Sequence, residues 1–273
     1  MIKVKTEFAK LNPAFQLFKL QEKEVLADKD SKSEEDDYTV AVMLVCVRHI
    51  VEDEPYIYTD ISDERLEALY GKYKVILNSI TRRASLFIQK NEIIMIFKNM
   101  NEKECYSVVK NFQNNVTDEL ESFEVVFTGI GNTVKGIHDI EDSYIMAGKI
   151  AALLKLRENE DDIQKYDISD LDSLLLNINN YQCLEGYYNK MLKPVDDYDN
   201  ANGTNLHYTL KIYFANNCSV YDTAQELMVH LNTVNEKLKK IQKILGIDIK
   251  SFAERNKLAV ALDICQIKQL YSA

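Results

Sequence analysis

Apolar positions along the chain change their spacing from one stretch to the next, and each spacing predicts its own kind of element. Over residues 9–27, Leu11, Phe15, Phe18, Val25 and Leu26 fall near one helical face, with Pro13 close to the helix start. The acidic run "DKDSKSEEDD" (28–37) interrupts the pattern and reads as a solvated loop. From Tyr38 the pattern alternates between strands and helices. "YTVAVMLVCVRH" is dense in β-branched and apolar residues and predicts a buried strand. "DISDERLEALYGKYKVILNSITRR" (60–83) predicts a helix with Asp60 or Ser62 as its N-cap. "ASLFIQK" and "NEIIMIFKN" predict a hairpin around a Gln-Lys-Asn-Glu tip, which lacks the usual glycine. A helix over "NEKECYSVVKNFQNNVTDEL", a strand over "SFEVVFTGIG", an amphipathic helix over "DIEDSYIMAGKIAALLKL" and a short strand near "IQKYDIS" follow. Strand, helix, hairpin, helix, strand, helix, strand is the order of an α+β sheet with helices packed on it.

Near Leu171 the chain becomes helix-rich and carries no strand signal. Helices are predicted over "LDSLLLNINN", "YQCLEGYYNKML", "TNLHYTLKIYFANN", "SVYDTAQELMV", "NTVNEKLKKIQKILG" and "SFAERNKLAVALDICQIKQL". "KPVDDYDNANG" reads as a turn between helices, because Pro194, the aspartates and Gly203 punctuate it. The predicted organisation is an N-terminal helix and acidic linker (1–37), an α+β body (38–180) and an all-α domain (181–273).

Composition narrows the function classes. At 273 residues, 46% hydrophobic and 28% charged, the chain has ample core for two domains. No apolar run approaches the roughly 20 residues that span a bilayer, and the N-terminus shows no secretory signal. A cytoplasmic protein with no membrane partner is expected. Cys46, Cys105, Cys183, Cys218 and Cys265 are scattered without paired spacing, which predicts buried reduced thiols rather than zinc ligands or disulfides. His49, His138, His207 and His230 form no metal pattern. The net charge is −10, yet from Leu206 onward there are nine basic and six acidic side chains. A tail that is basic relative to an acidic body suits a nucleic-acid-binding module on a regulatory domain.

The stretch 216–246 carries the candidate chemistry. Ser219 stands where a hydroxyl can cap a helix, and Tyr221, Ala224 and Leu227 are expected on that helix's inner face. In the next helix Leu231, Val234, Leu238, Ile241 and Leu245 are expected inward. Asn232, Thr233, Asn235, Glu236, Lys237, Lys239, Lys240 and Lys243 are expected outward. Side chains at the start of such a second helix reach base edges in a major groove. Asn pairs with adenine, Lys contacts guanine or phosphate, and a carboxylate such as Glu236 can accept from a cytosine amino group. Elsewhere, "FTGIGNTVKG" matches neither a dinucleotide fingerprint nor a phosphate loop, and Gly129 and Gly131 read as permitting a tight exit from a strand.

Together these residues resemble a known family. Residues 191–267 resemble the C-terminal helix-turn-helix domain of PucR/CdaR-type bacterial transcriptional regulators. The resemblance rests on the "LKPVDDYD" lead-in, "NLHYTLKIYFANNCSVYDTAQEL", "HLNTVNEKLKKI", and "LGIDI" before a final helix rich in Leu and Ala. It implies a sequence-specific regulator acting as a homodimer on double-stranded DNA, under a small-molecule effector of unknown identity. The implied DNA contacts are Thr223, His230, Asn232, Thr233, Asn235, Lys237, Lys239 and Lys240. Where the family's segment reads His-Arg-Asn-Thr-Val/Leu-Arg-Tyr-Arg-Leu, this chain has Leu231 and Asn235 for two arginines, Glu236 for the tyrosine and Lys237 for the last arginine. Affinity scales with the phosphates neutralised, so a monomer is expected to bind weakly and paired modules to recover the loss.

The body, through "SLFIQKNEIIMIF" and "FEVVFTGIGNTVKGIHDIEDSYIMAGKIAALL", resembles the GGDEF-like domain that precedes the DNA-binding domain in this family. The five positions aligned with the cyclase signature are Gln89, Lys90, Asn91, Glu92 and Ile93. Both glycines and one metal carboxylate are replaced, and "VAVMLVCVRHI" offers no second metal aspartate. Two-metal phosphoryl chemistry needs those acids, so neither catalysis nor a cofactor or metal is expected. The alternative from another class is a protein-interaction or ligand-sensing dimer whose helix-turn-helix no longer reads DNA. Family members usually carry a further N-terminal sensory region, which is not expected within the first 37 residues; the expectation is either a shortened regulator or a sensor that resides elsewhere.

Overall fold

The computed structural model describes residues 35–50, 56–178 and 180–271. The helix expected over 9–27 lies outside them. The chain divides into two compact units, the second beginning at Asn180.

The first unit runs β1 (Asp37–His49), β2 (Ile57–Asp60), α1 (Asp63–Ile80), β3 (Ala84–Gln89), β4 (Glu92–Lys98), α2 (Glu102–Thr117), β5 (Glu124–Ile130), β6 (Val134–Lys135), α3 (Ile140–Leu156), β7 (Ile163–Lys165) and α4 (Leu171–Leu176). The sheet order is β3-β4-β1-β5-β7, with β2 and β6 also paired to β1. Every pairing is antiparallel except β5 with β7. Strand β1 is buried on both faces, which is why its sequence is a nearly continuous apolar run. Ala41, Met43 and Val45 pack with Leu66, Leu69, Tyr73 and Leu77 of α1 and with Val109, Phe112 and Val116 of α2. The alternate residues Val40, Val42, Leu44 and Cys46 meet Ala147, Ala151 and Leu154 of α3. Two helices therefore cover one face and one helix the other.

Gly129 and Gly131 have a different task from the one their position suggested. Neither holds a positive φ. A Cβ on Gly129 would stand 2.1 Å from the Ala147 carbonyl oxygen, and one on Gly131 would stand 2.0 Å from that of Ser143. The glycines let α3 lie directly on the β5 backbone. At the same point the Val40 N–H donates to Ser143 Oγ (2.9 Å) and the Gly131 N–H to the Val40 carbonyl (2.8 Å).

The β3–β4 hairpin forms without a glycine because Lys90 takes φ 51°. Asn91 holds the tip, donating from Nδ2 to Asp60 Oδ1 (2.9 Å) and accepting the Val45 N–H on its carbonyl (2.9 Å). Strands β2 and β6 were not expected. They are too short, at four and two residues, for alternation to register. Helix α4 opens the helix-rich stretch near Leu171 but lies within the bounds expected for the body, 38–180. Arg157 grips Asp172, and Lys149 Nζ donates to the Leu176 carbonyl (2.9 Å), so α4 belongs to the sheet-containing unit.

The second unit comprises α5 (Tyr181–Met191), α6 (Lys193–Asn202), α7 (Leu206–Ala215), α8 (Val220–Glu226), α9 (Leu231–Leu245) and α10 (Phe252–Leu270), with no strand among its described residues. The segment read as a turn, "KPVDDYDNANG", is helix α6. Pro194 sits in its first turn, where no N–H is needed, and Gly203 ends it at φ 61°. The same punctuation that marks a turn here brackets a helix. Its core gathers Leu192, Val195, Leu206, Leu210, Tyr213 and Ala224 with Val234, Leu238, Ile241, Leu258 and Ala261. Among the cysteines expected inside, Cys46 and Cys105 are buried but Cys183 is exposed.

A polar network ties α5, α6 and α7. Tyr188 Oη donates to Asp196, whose other oxygen pairs with His207 Nδ1. The Asp196 carboxylate, together with a hydrogen bond to Cys265, raises the His207 pKa from its ordinary 6.5 to about 9. Asp199 caps α7, accepting the Leu206 and His207 N–H groups at 2.8 Å each.

Two outcomes follow from these contacts. Gly131→Ala is expected to destabilise the first unit by about 3 kcal/mol, because backbone must move to admit one methyl. Gly71→Ala in α1, where a Cβ meets nothing within 4 Å, is expected to stabilise it by about 0.5–1 kcal/mol. Denaturant midpoints of the two variants should therefore move in opposite directions. His207, with its folded pKa raised, contributes stability that is complete below about pH 6.5 and lost as pH rises through about 9. The thermal midpoint of the second unit should fall across that window by the equivalent of roughly 2 kcal/mol, and His207→Gln should flatten the dependence.

Candidate nucleic-acid interface

Helices α8 and α9 form a helix-turn-helix. Ser219 Oγ accepts the Asp222 N–H (3.3 Å) and starts α8, as its hydroxyl predicted. Ala224 is buried where the helices cross. The turn bends at Met228, which holds φ 52° and is 93% exposed. Turns of this kind often use glycine there. His230 then caps α9, its Nδ1 accepting the Asn232 N–H at 3.2 Å.

Val234, Leu238 and Ile241 anchor α9 in the core at spacings of four and three residues. The opposite stripe consists of Asn232, Asn235, Glu236, Lys239 and Lys243, all exposed. Residues at i, i+3, i+4, i+7 and i+11 share one helix face, so these five form a single line. Two residues expected inward are exposed instead: Tyr221 at 58% and Leu231 at 38%. Each stands in the first turn of its helix. Leu227 and Leu245 are half-buried.

The expected DNA-contacting residues divide into two groups. His230, Asn232, Asn235, Lys239 and Lys240 are exposed, and Thr233 is half-buried. Lys240 lies over Tyr198, its ammonium 4.8 Å from the ring centroid. Thr223 and Lys237 depart from the expectation. Thr223 is fully buried and its hydroxyl donates to the Ser219 carbonyl at 2.6 Å, a helix-internal bond. Lys237 turns back onto α7, where its Nζ donates to Asn205 Oδ1 (2.6 Å) and Thr209 Oγ1 (3.2 Å). This explains why Asn205, the N-cap residue of α7, makes no side-chain cap bond and leaves that role to Asp199. Asn205 and Thr209 were not singled out from sequence, since nothing local marks them as partners of a lysine 28 residues or more away. Lys243 is the fifth member of the exposed line; its spacing of four from Lys239 was the available signal.

Among the described residues no group of three or more His, Cys, Asp or Glu side chains could hold a metal ion, and no helix is long and apolar enough to cross a membrane. In the hairpin of the first unit, Glu92 accepts from Tyr144 Oη at 2.6 Å, and burial raises its carboxyl pKa.

An amide-rich helix start on a two-helix corner, followed by lysines on the same line, defines the second unit as a helix-turn-helix domain. Its kind is specific: residues 206–264 match the PucR C-terminal helix-turn-helix domain family. The chain is also similar to transcriptional regulators of Bacillus subtilis (strain 168). It is 26% identical over 188 residues to the proline-responsive transcriptional activator PutR, covering 67% of this chain and 45% of that protein. It is 28% identical over 156 residues to the purine catabolism regulatory protein (57% and 29% covered), and 28% over 150 residues to the DNA-binding transcriptional activator AdeR (54% and 34%). The chain thus spans less than half the length of each of these relatives. A regulator of polyketide synthase expression from Bifidobacterium adolescentis aligns over 85% of this chain and 82% of its own, at 14% identity and a TM-score of 0.30.

The contrast between the lysines is measurable. Lys237→Ala removes two hydrogen bonds from a charged donor and should destabilise the second unit by about 1–2 kcal/mol. Lys239→Ala, on the exposed line, should leave its thermal midpoint unchanged within about 0.5 kcal/mol.

Proposed function

We propose that the protein is a DNA-binding transcriptional regulator that sets the start of α9 in the major groove of double-stranded DNA. The observation that carries this reading is the exposed line of Asn232, Asn235, Glu236, Lys239 and Lys243, which orders polar readers ahead of cations. Near the helix start, Asn232 and Asn235 face base edges, with His230 and Thr233 beside them. Further along, Lys239 and Lys243 neutralise phosphates, and Lys240 does so from its place over Tyr198. Lys237 serves as a positioning residue, bracing α9 against α7.

In this proposal the first unit is a GGDEF-like domain without catalytic activity that dimerises the protein and relays a signal from a small-molecule effector. Its support is the aligned hairpin Gln89–Ile93, in which Asn91 is engaged by Asp60 and Glu92 by Tyr144. Dimerisation would place two helix-turn-helix modules on paired half-sites and offset the small number of cations in each. The names of two relatives connect them with proline and with purine catabolism, so small metabolites of those kinds are the first effectors to try.

A second reading, an interaction dimer that no longer reads DNA, draws on the inward turn of Lys237 and the carboxylate of Glu236. Binding of the full chain to fragmented genomic DNA at several salt concentrations separates the two. The regulator reading expects selective retention that weakens steeply with salt. In Lys239→Ala/Lys243→Ala the log–log salt slope should shrink by about two for each module engaged. A folded protein that retains no DNA even at low salt would give the interaction dimer the lead.

A further inference from the structure

We infer that Glu236 determines base specificity: it restricts one position of the half-site to a base that offers an amino group in the major groove. The inference rests on the DNA-reading proposal above. It begins from what the first two turns of α9 expose. Asn232, Asn235 and Glu236 stand on the outward line, and residues 231–236 contain no basic side chain. The nearest cation, Lys237, is held by Asn205 and Thr209. Lys240 lies one turn beyond Glu236, where an i,i+4 ion pair would ordinarily form, yet its ammonium lies over the Tyr198 ring. The Glu236 carboxylate is therefore exposed, and neither of these two cations is directed to it.

A carboxylate so placed accepts hydrogen bonds and cannot donate them. In the major groove guanine presents N7 and O6, and thymine presents O4; all are acceptors. Setting a carboxylate against them leaves like partial charges facing each other, with no donor between. Cytosine N4 and adenine N6 are donors and satisfy it. The same charge is repelled by phosphate, so Glu236 contributes little to affinity and acts by rejecting wrong bases. The line sets the register. Asn232 and Glu236 are four residues apart, about 6 Å along the helix axis. That is close to two base-pair steps of about 3.4 Å, so the amino-bearing base lies within about three base pairs of the adenine read by Asn232. With no free arginine or lysine before Lys239, this part of the half-site is read without a guanine-directed cation.

Selection of the full chain from a pool of random duplexes tests the inference, with wild type beside Glu236→Ala and Asn235→Ala. Thermal unfolding checks that each variant remains folded; both positions are surface positions on one helix. Wild type should enrich a motif in which one position accepts cytosine or adenine and disfavours guanine and thymine by roughly fivefold to a hundredfold. Glu236→Ala should lose that preference at that position alone and bind unselected duplex more tightly than wild type. Asn235→Ala should relax a different, neighbouring position. A wild-type motif that Glu236→Ala leaves unchanged, or one with guanine or thymine where Glu236→Ala alters selection, would overturn the inference while leaving DNA reading intact. Failure of folded wild type to retain any duplex at low salt would instead overturn the DNA-reading proposal, and this inference with it.

Discussion

The first unit depends on the direct seating of helix α3 on strand β5 at Gly129 and Gly131. With no Cβ at either position, the α3 backbone occupies the space that a side chain would need. The close approach brings Ser143 within reach of the β1 backbone, where its hydroxyl takes an N–H from Val40. It also lets Ala147 and Ala151 rather than larger residues cover Val40 and Val42. On the other face, Tyr73, Phe112 and Phe97 fill the space beneath α1 and α2. Large aromatic side chains thus pack beneath α1 and α2 on one face of the sheet and the small alanines of α3 on the other, and β1 is the strand that both faces share.

The second unit uses polar side chains for a comparable purpose. Asp199 closes the start of α7, Asp196 joins Tyr188 to His207, and Asn205 is released to receive Lys237. Each of these bonds crosses between helices. The orientation of α9 is consequently set by an apolar stripe below it and by a lysine at its side. The residues that face outward are those left over from both tasks.

Much of this was legible in sequence where a single period governs a long element. The Val234–Leu238–Ile241 stripe of α9 is of this kind, whereas strand β1 was assigned from its density of β-branched and apolar residues. Helix α6 was missed because proline, aspartate and glycine mark helix ends as readily as turns, and only the tertiary setting chooses between them. Gly129 and Gly131 posed a similar ambiguity, since a glycine kept for a close neighbour looks the same as one kept for its backbone angle. At the candidate interface, periodicity found the outward line but not the exceptions. Thr223 lies buried with its hydroxyl bonded within its own helix, and Lys237 finds its partners on a helix distant in sequence; neither fact has a local signature.

The cap made by His230 has a consequence for the chemistry of the whole line. Because Nδ1 accepts the Asn232 N–H, the ring proton of the neutral imidazole resides on Nε2. The side chain therefore meets anything in front of it as a donor only. Within the first two turns of α9, Asn232 and Asn235 both donate and accept, and Glu236 only accepts. Read from one end to the other, the start of this helix is graded in hydrogen-bond polarity, from giving to taking. On the reading proposed above, a half-site turned end for end would present its base-edge donors and acceptors to that gradient in reverse order.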